Sequence, residues 1–156
     1  MIKIFNLKIL SFIFFIFIFS NCSSNKYIST GVDFISEANG VLKLRSTGEG
    51  TNVKNAAVDA EINALKLVLF RGVPGSSVVD PLLSTDESKI MNQHQKYFNS
   101  FFNEKRYITF IKSSDNAIKI QSNKSNNKRV LLVVEINLQS LKKDLESFGV
   151  VRKFGY

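Results

Sequence analysis

The chain has 156 residues, a formal net charge of +8 and one cysteine. This length is sufficient for one domain with a hydrophobic core. A single cysteine excludes a disulfide framework within the chain. The 21 lysines and arginines are scattered, at most in pairs, and we interpret them as solvated faces of the domain.

The first 21 residues have the layout of a secretory signal. Lys3 and Lys8 form a short basic region, and an apolar run follows from Ile9 to Phe19. As a helix this run would measure about 16 Å, whereas the hydrocarbon core of a bilayer is roughly 30 Å thick. The run is too short for a transmembrane span, so we predict that residues 1–21 are a signal peptide. Its removal would lower the net charge from +8 to +6, because two lysines and no acid leave with it.

Cys22 follows this run directly after Ser20 and Asn21. The arrangement resembles the lipobox of bacterial lipoproteins, with Phe19 where leucine is usual. The resemblance implies that Cys22 is lipidated and becomes the first residue of the mature chain, which two or more acyl chains would hold stably on a membrane. Ser23 in place of aspartate implies the outer membrane, and we expect the domain to face the periplasm, with surface exposure left open. The alternative is a secreted or otherwise anchored chain with a coincidental cysteine.

Export and lipidation limit the partners that we expect. An exported chain is separated from nucleic acid, and an acylated Cys22 leaves no thiol for a metal site. We therefore expect a membrane and an envelope protein as partners, without nucleic acid, metal or cofactor. Residues 22–39 are polar and mixed, and we interpret them as the lipidated N-terminus and a tether. Within them, Val32 to Ile35 is a weak candidate for an edge strand.

We predict one domain over residues 40–156. Val41 to Ser46 alternates and indicates a strand, and a helix follows from about Val53 to Arg71. Thr51 or Asn52 would cap its start. Its small residues would allow close approach to a sheet, and its end is marked by Gly72 and Pro74. The intervening turn with Gly48 and Gly50 lacks the spacing of a phosphate-binding loop, so we interpret it as structural.

The loop from Gly72 to Thr85 combines two prolines and two glycines with apolar residues. Loops of this length are often functional. We therefore name four of its residues as candidate contacts for a partner protein: Val78, Val79, Leu82 and Leu83. The alternative carries equal weight: these side chains tuck under the loop into the core.

A second helix is predicted to about Asn103, opened by a capping box from Ser84 to Glu87. Its aromatic stripe indicates core, and His94, the one histidine of the chain, is a poor metal site without a second ligand. Tyr107–Ile111 and Ala117–Gln121 then predict a hairpin around residues 113–116.

The polar stretch 122–128 predicts a turn before the last part of the domain. Val130–Ile136 is nearly continuous in apolar residues and predicts a central strand covered at least partly on both faces. Asn137 would cap a last helix with a buried stripe of Leu138, Leu141, Leu145 and Phe148. Gly149 would end this helix, and a short strand could follow over 150–156. The predicted order is β-α-α-β-β-β-α, an α+β fold with an antiparallel-rich sheet packed by about three helices.

Residues 40–72 resemble the opening unit of LPP20-type lipoproteins and of the N-terminal domain of the flagellar assembly T protein. The resemblance rests on Gly48 and Gly50 and on an alanine-rich helix with Ala57, Ala60 and Ala64. Later segments, such as Phe70–Gly75, look more like uncharacterised envelope lipoproteins. The flagellar group implies a scaffold role, and neither resemblance brings catalytic residues.

Two functional hypotheses follow for the anchored domain. The first is a non-enzymatic protein-interaction or scaffold module that uses the loop or an exposed sheet edge. The second is a periplasmic binding module for a glycan or a lipid phosphate, with four candidate anion contacts: Lys128, Arg129, Lys142 and Lys143.

An enzyme is not favoured by the carboxylates of the sequence. General acid–base catalysis requires paired carboxylates or a histidine with an orienting acid. Asp59 and Glu61 point in different directions on a helix, and Asp86 and Glu87 suit a helix start.

Overall fold

Alternating apolar residues build a four-stranded antiparallel sheet in the part of the chain that the structure, a computed structural model, describes: residues 31–120 and 127–152. The strand order is β1-β2-β4-β3. The strands span Val32–Ala38 (β1), Val41–Gly50 (β2), Ile111–Ile120 (β3) and Lys128–Asn137 (β4). Helices pack against this sheet, and the predicted α+β class is confirmed.

β1 is longer than the weak candidate strand from Val32 to Ile35, and it forms a hairpin with β2. β1 and β2 are joined by Asn39 and Gly40, which have φ values of 53° and 71°. A two-residue turn with positive φ at both positions matches the right-handed twist of paired strands. Val32, the first residue of β1, pairs with Ser46, whereas β2 continues to Gly50. Among the described residues, no strand therefore lies beside the end of β2 on the β1 side.

The first helix, α1, spans Val53–Phe70 and follows its sequence signals closely. The side chain of Asn52 caps it by accepting a hydrogen bond of 2.9 Å from the Asn55 N–H. Ala60 is fully buried against the sheet, and its carbonyl accepts a 2.7 Å hydrogen bond from the hydroxyl of Ser46 on β2. Small side chains thus bring the helix axis close to the sheet, as predicted.

The predicted second helix is divided into three shorter pieces. Residues Glu87–Gln93 (α2) and Gln95–Phe98 (α3) are α-helical, and Asn99–Asn103 form a π-helical turn. The predicted capping box is wrong, because Asp86 is the cap: its side chain accepts a 3.0 Å hydrogen bond from Lys89 N–H. Glu87 instead forms a 2.7 Å ion pair with Lys66 of α1. The aromatic stripe of this segment lies in the core, as predicted, with Phe101 fully buried.

The predicted hairpin around residues 113–116 is wrong. Arg106–Phe110 form a 3₁₀ helix, and β3 runs through the predicted turn as one strand with two bulges. Tyr107 and Phe110 are buried while Ile108 and Thr109 are exposed. This spacing of three fits a helical turn and not an alternating strand. Residues 122–126 of the predicted second turn lie outside the described residues.

β4 is central, as predicted, but helices cover only one of its faces in the described part of the chain. Val130, Leu132, Val134 and Ile136 are buried beneath α1 and the last helix, α4, Leu138–Ser147. Asn137 caps α4 through a 3.0 Å hydrogen bond from Ser140 N–H. The opposite surface, here called the outer face, consists of Val41, Lys43, Arg45, Leu131, Val133 and Glu135, which remain partly or largely exposed.

The described part of the predicted last strand is not a strand. Residues 150–152 are irregular, and residues 153–156 lie outside the described residues. None of the helices in the described ranges is both long and apolar enough to cross a membrane. The predicted signal peptide and Cys22 also lie outside these ranges.

Candidate functional site

A polar cleft opens where β2 continues past the start of β1. Its volume is about 470 Å³, and it is lined by Gly31, Thr47, Gly48, Glu49, Asp59, Asn63 and Arg129. Gly31, which directly precedes β1, closes one end of the cleft: its carbonyl oxygen accepts a 2.6 Å hydrogen bond from Thr47 N–H. The cleft therefore lies beside the end of β2, past the first residue of β1.

Two side chains of α1 form hydrogen bonds with the backbone at this end of β2. Asp59 and Asn63 lie one helical turn apart and face the free edge of β2. Glu49 N–H donates a 2.9 Å hydrogen bond to Asp59 Oδ2. Asn63 Nδ2 donates to Thr47 O at 3.1 Å and to Asp59 Oδ2 at 3.2 Å. Backbone groups that would otherwise lack partners are thereby satisfied, and both side chains are held in fixed positions.

An ion pair borders the cleft on the side of β4. Arg129 Nε donates a 2.8 Å hydrogen bond to Glu49 Oε1, and Arg129 Nη2 contacts the same oxygen. The charge of Glu49 is thus balanced across the β2–β4 pair. Asp59 receives only neutral donors among the described residues, so the cleft retains one uncompensated negative charge.

The structure places the predicted loop contacts largely in the core. Val78 is 3% exposed, so it is a core residue and cannot contact a partner in this conformation. Leu82 and Leu83 are half-buried, and their N–H groups donate to the carbonyls of Val68 and Leu69 at the end of α1. Only Val79, 60% exposed, presents an apolar side chain to solvent. The alternative interpretation of this loop, a satellite of the core, describes it better.

A carboxylate of β1 fastens this loop to the sheet. The Glu37 carboxylate accepts hydrogen bonds from the Ser77 hydroxyl at 2.5 Å and from Ser77 N–H at 2.7 Å. These bonds, the hydroxyl first, hold the pKa of Glu37 below its usual value despite some desolvation, and Lys142 adds a favourable charge. The loop is consequently tied to β1 on one side and to α1 on the other.

The four predicted anion contacts do not converge on one site. Lys128 and Arg129 begin β4, whereas Lys142 and Lys143 lie on α4 beyond the other end of that strand. Ten residues of strand span roughly 30 Å. Arg129 is also engaged by Glu49. A single phosphate could not contact all four side chains.

A partly buried network that sequence reasoning missed links three distant segments. Asp144 of α4 accepts a 2.7 Å hydrogen bond from the Tyr97 hydroxyl and pairs at 2.7 Å with Arg106. The guanidinium carbon of Arg106 lies 4.9 Å from the centre of the Tyr97 ring and 4.8 Å from that of Phe148. Burial, and then the bond to Asp144, raise the pKa of Tyr97. These residues come together only through the fold, and nothing in their local spacing indicates the contact.

The remaining titratable candidates have structural partners or stand apart. Asp59 lines the cleft, whereas Glu61 accepts a 3.3 Å hydrogen bond from the buried Tyr107 hydroxyl. Asp86 and Glu87 serve the start of α2, as described above. His94 lies half-exposed between α2 and α3. Within residues 31–120 and 127–152, no three His, Cys, Asp or Glu side chains are grouped so that they could hold a metal ion.

Comparison of the chain with protein-family models, with curated proteins and with solved structures gave no match. The resemblances based on the residues around Cys22 and on residues 40–72 therefore stay predictions.

Proposed function

We propose that this chain is a lipid-anchored lipoprotein of the bacterial envelope. Its domain acts as a non-enzymatic protein-interaction module on the periplasmic side of the outer membrane. The anchor is supported by the sequence around Cys22. The interaction role is supported by one observation above all, the outer face, which carries no helix in the described part of the chain.

The outer face combines apolar and charged groups in the manner of a contact surface. Leu131 and Val133 of β4 are half-buried at its centre. Arg45 pairs in register with Val133 and is exposed, and among the described residues its guanidinium has no ion-pair partner. Lys43 is already paired with Glu135 at 2.6 Å. Arginine beside apolar groups is a frequent hot spot of protein interfaces, so we expect a partner that presents a carboxylate to Arg45 and apolar side chains to β4.

The sheet edges are less suited to contact than this face. β1 is interrupted by a bulge between Phe34 and Ser36, and β3 has two bulges. The free end of β2 is occupied by Asp59 and Asn63. Bulges and side chains that block an edge are common protections against strand addition. The outer face is therefore favoured over the edges and over the loop.

Lipidation is tested first. Expressed in a diderm bacterium, the chain should yield a mature protein that begins at Cys22 and carries two or three acyl chains. Mass spectrometry of the N-terminal peptide measures this directly. The Cys22→Ala variant should leave the membrane fraction after salt and carbonate washing. A variant that remains membrane-bound after these washes would contradict the anchor.

The interaction surface is tested by site-specific cross-linking in the membrane. A photoreactive residue placed at Val133 should form a defined adduct with one envelope protein, and Arg45→Glu should reduce its yield at least about tenfold, because a charge pair at a contact centre would become repulsive. The matched control is Lys54→Glu, the same charge reversal on exposed α1. An adduct that resists Arg45→Glu, or that Lys54→Glu removes equally, would contradict the outer face as the contact surface.

A further inference from the structure

We propose that the polar cleft beside β2 binds a neutral, hydroxyl-rich ligand, that is, a saccharide. The proposal goes beyond the protein-interaction role, since the cleft lies past the end of β1 and shares none of the residues that define the outer face. Three properties of the cleft support a saccharide: the fixed geometry of its polar groups, its charge and the chemistry of its lining.

The polar groups of the cleft are held in place before any ligand arrives. Asp59 uses Oδ2 for Glu49 N–H and for Asn63 Nδ2. Its Oδ1, and the Oδ1 of Asn63, have no hydrogen-bond partner in the described part of the chain. Two acceptors are therefore oriented by a helix and a strand rather than by mobile loops. Such fixed polar groups orient ligands in small-molecule sites.

The lining excludes several classes of ligand. The described residues that line it include no aromatic and no large aliphatic side chain, so this part of the lining offers little contact for a lipid chain. The unbalanced Asp59 charge and the pairing of Arg129 with Glu49 disfavour phosphate and other anions. The free oxygens of Asp59 and Asn63 favour a ligand that donates hydrogen bonds, and hydroxyl groups both donate and accept them. A cationic donor such as a polyamine is the competing class, and the test below includes it. Saccharides carry such groups on all sides, and a volume of about 470 Å³ lies within the usual range of small-ligand sites.

The test uses the chain from Ser23 to Tyr156, since every strand, helix and core residue described lies after residue 30. Amide spectra are recorded during titration with two probes, an N-acetylglucosamine tetramer and maltotetraose. We expect at least one probe to shift the amide signals of Gly48, Glu49 and Asn63, with a Kd on the order of 1 mM. Inorganic phosphate and spermidine should leave these signals in place.

Asp59→Asn tests the cleft with little cost to the fold. The amide oxygen can still accept from Glu49 N–H, but the second acceptor becomes a donor. We expect the saccharide Kd to rise at least about tenfold, because a hydrogen bond to a charged group is lost. Asp115→Asn, the same change on an exposed residue of β3, should leave the Kd unchanged.

The proposal would be overturned by any of three results. The first is that neither saccharide, at about 10 mM, shifts the amide signals of the cleft residues. The second is that the two asparagine variants change the saccharide Kd equally. The third is that phosphate or spermidine binds more tightly than saccharide. The wild-type spectra decide the first and third results even if Asp59→Asn does not fold. Cross-linking at Val133 does not depend on the cleft, so failure here and failure of the protein-interaction role can be told apart.

Discussion

Gly48→Val is expected to lower the free energy of unfolding by about 3 kcal/mol or more, because overpacking here would press on backbone. A Cβ atom at Gly48 would lie 2.2 Å from the carbonyl oxygen of Ala56 and 2.3 Å from the amide nitrogen of Ala60. Both atoms belong to the backbone of α1. No rotamer change can relieve the clash, so the helix would have to move away from β2. Urea unfolding followed by circular dichroism measures the loss.

A second glycine separates this steric effect from backbone strain. Gly149 has a positive φ of 66°, but a Cβ there would meet nothing within 4 Å. Gly149→Ala should cost only about 1 kcal/mol, the penalty for a left-handed alanine. If both variants lost the same stability, the close approach of α1 to β2 would not be what requires glycine at position 48.

The parts of the fold that the sequence predicted are those with strong local signals. β2 alternates as predicted, and Leu42, Leu44 and Ser46 are its buried residues in that stretch. α1 and α4 begin at asparagine caps, as expected, since the capping hydrogen bond joins residues only three apart. The central position of β4 was indicated by its nearly continuous apolar run. In each case neighbouring residues contain enough information to select the structure.

The wrong predictions arose where distant packing overrides a local pattern. Ser84 and Glu87 have the spacing of a capping box, but Glu87 forms an ion pair with Lys66 of α1. Asp86 caps the helix instead. The apolar run of β4 indicated cover at least partly on both faces, yet no helix in the described part of the chain covers Leu131 and Val133 of the outer face. An apolar run indicates which residues favour burial, but it does not indicate whether another element of the fold lies where it can cover them.

The cleft could not be predicted for a similar reason. It exists because β1 begins at Val32 while β2 ends at Gly50, and strand lengths are poorly defined by sequence. Asp59 was considered only as half of a catalytic pair with Glu61, and Arg129 only as an anion contact. Their roles depend on Glu49, ten residues from Asp59 and eighty from Arg129. Only the register of β2 with its neighbours brings these groups together.

Asp144→Ala is expected to lower the free energy of unfolding by about 1–3 kcal/mol, because breaking a partly buried, hydrogen-bonded ion pair leaves a partly desolvated guanidinium without its acceptor. The Asp144 side chain is 15% exposed and that of Arg106 is 25% exposed. Without the carboxylate, Arg106 and the Tyr97 hydroxyl would both lose their acceptor in a site lined by aromatic rings. Arg106 Nη2 already lacks a hydrogen-bond partner in the described part of the chain. Differential scanning calorimetry measures the effect.

A double-mutant cycle shows whether Asp144 acts through this network. Tyr97→Phe should cost about 1 kcal/mol alone, and much less in the Asp144→Ala background, since the same hydrogen bond is removed once. The control is Lys66→Ala, which breaks the more exposed pair with Glu87 and should cost less than about 1 kcal/mol. Additive effects of the Tyr97 and Asp144 substitutions would contradict the network. Coupling between them would show that α4 is held to the segment containing Tyr97 and Arg106 by a specific polar contact as well as by the packing of its leucines.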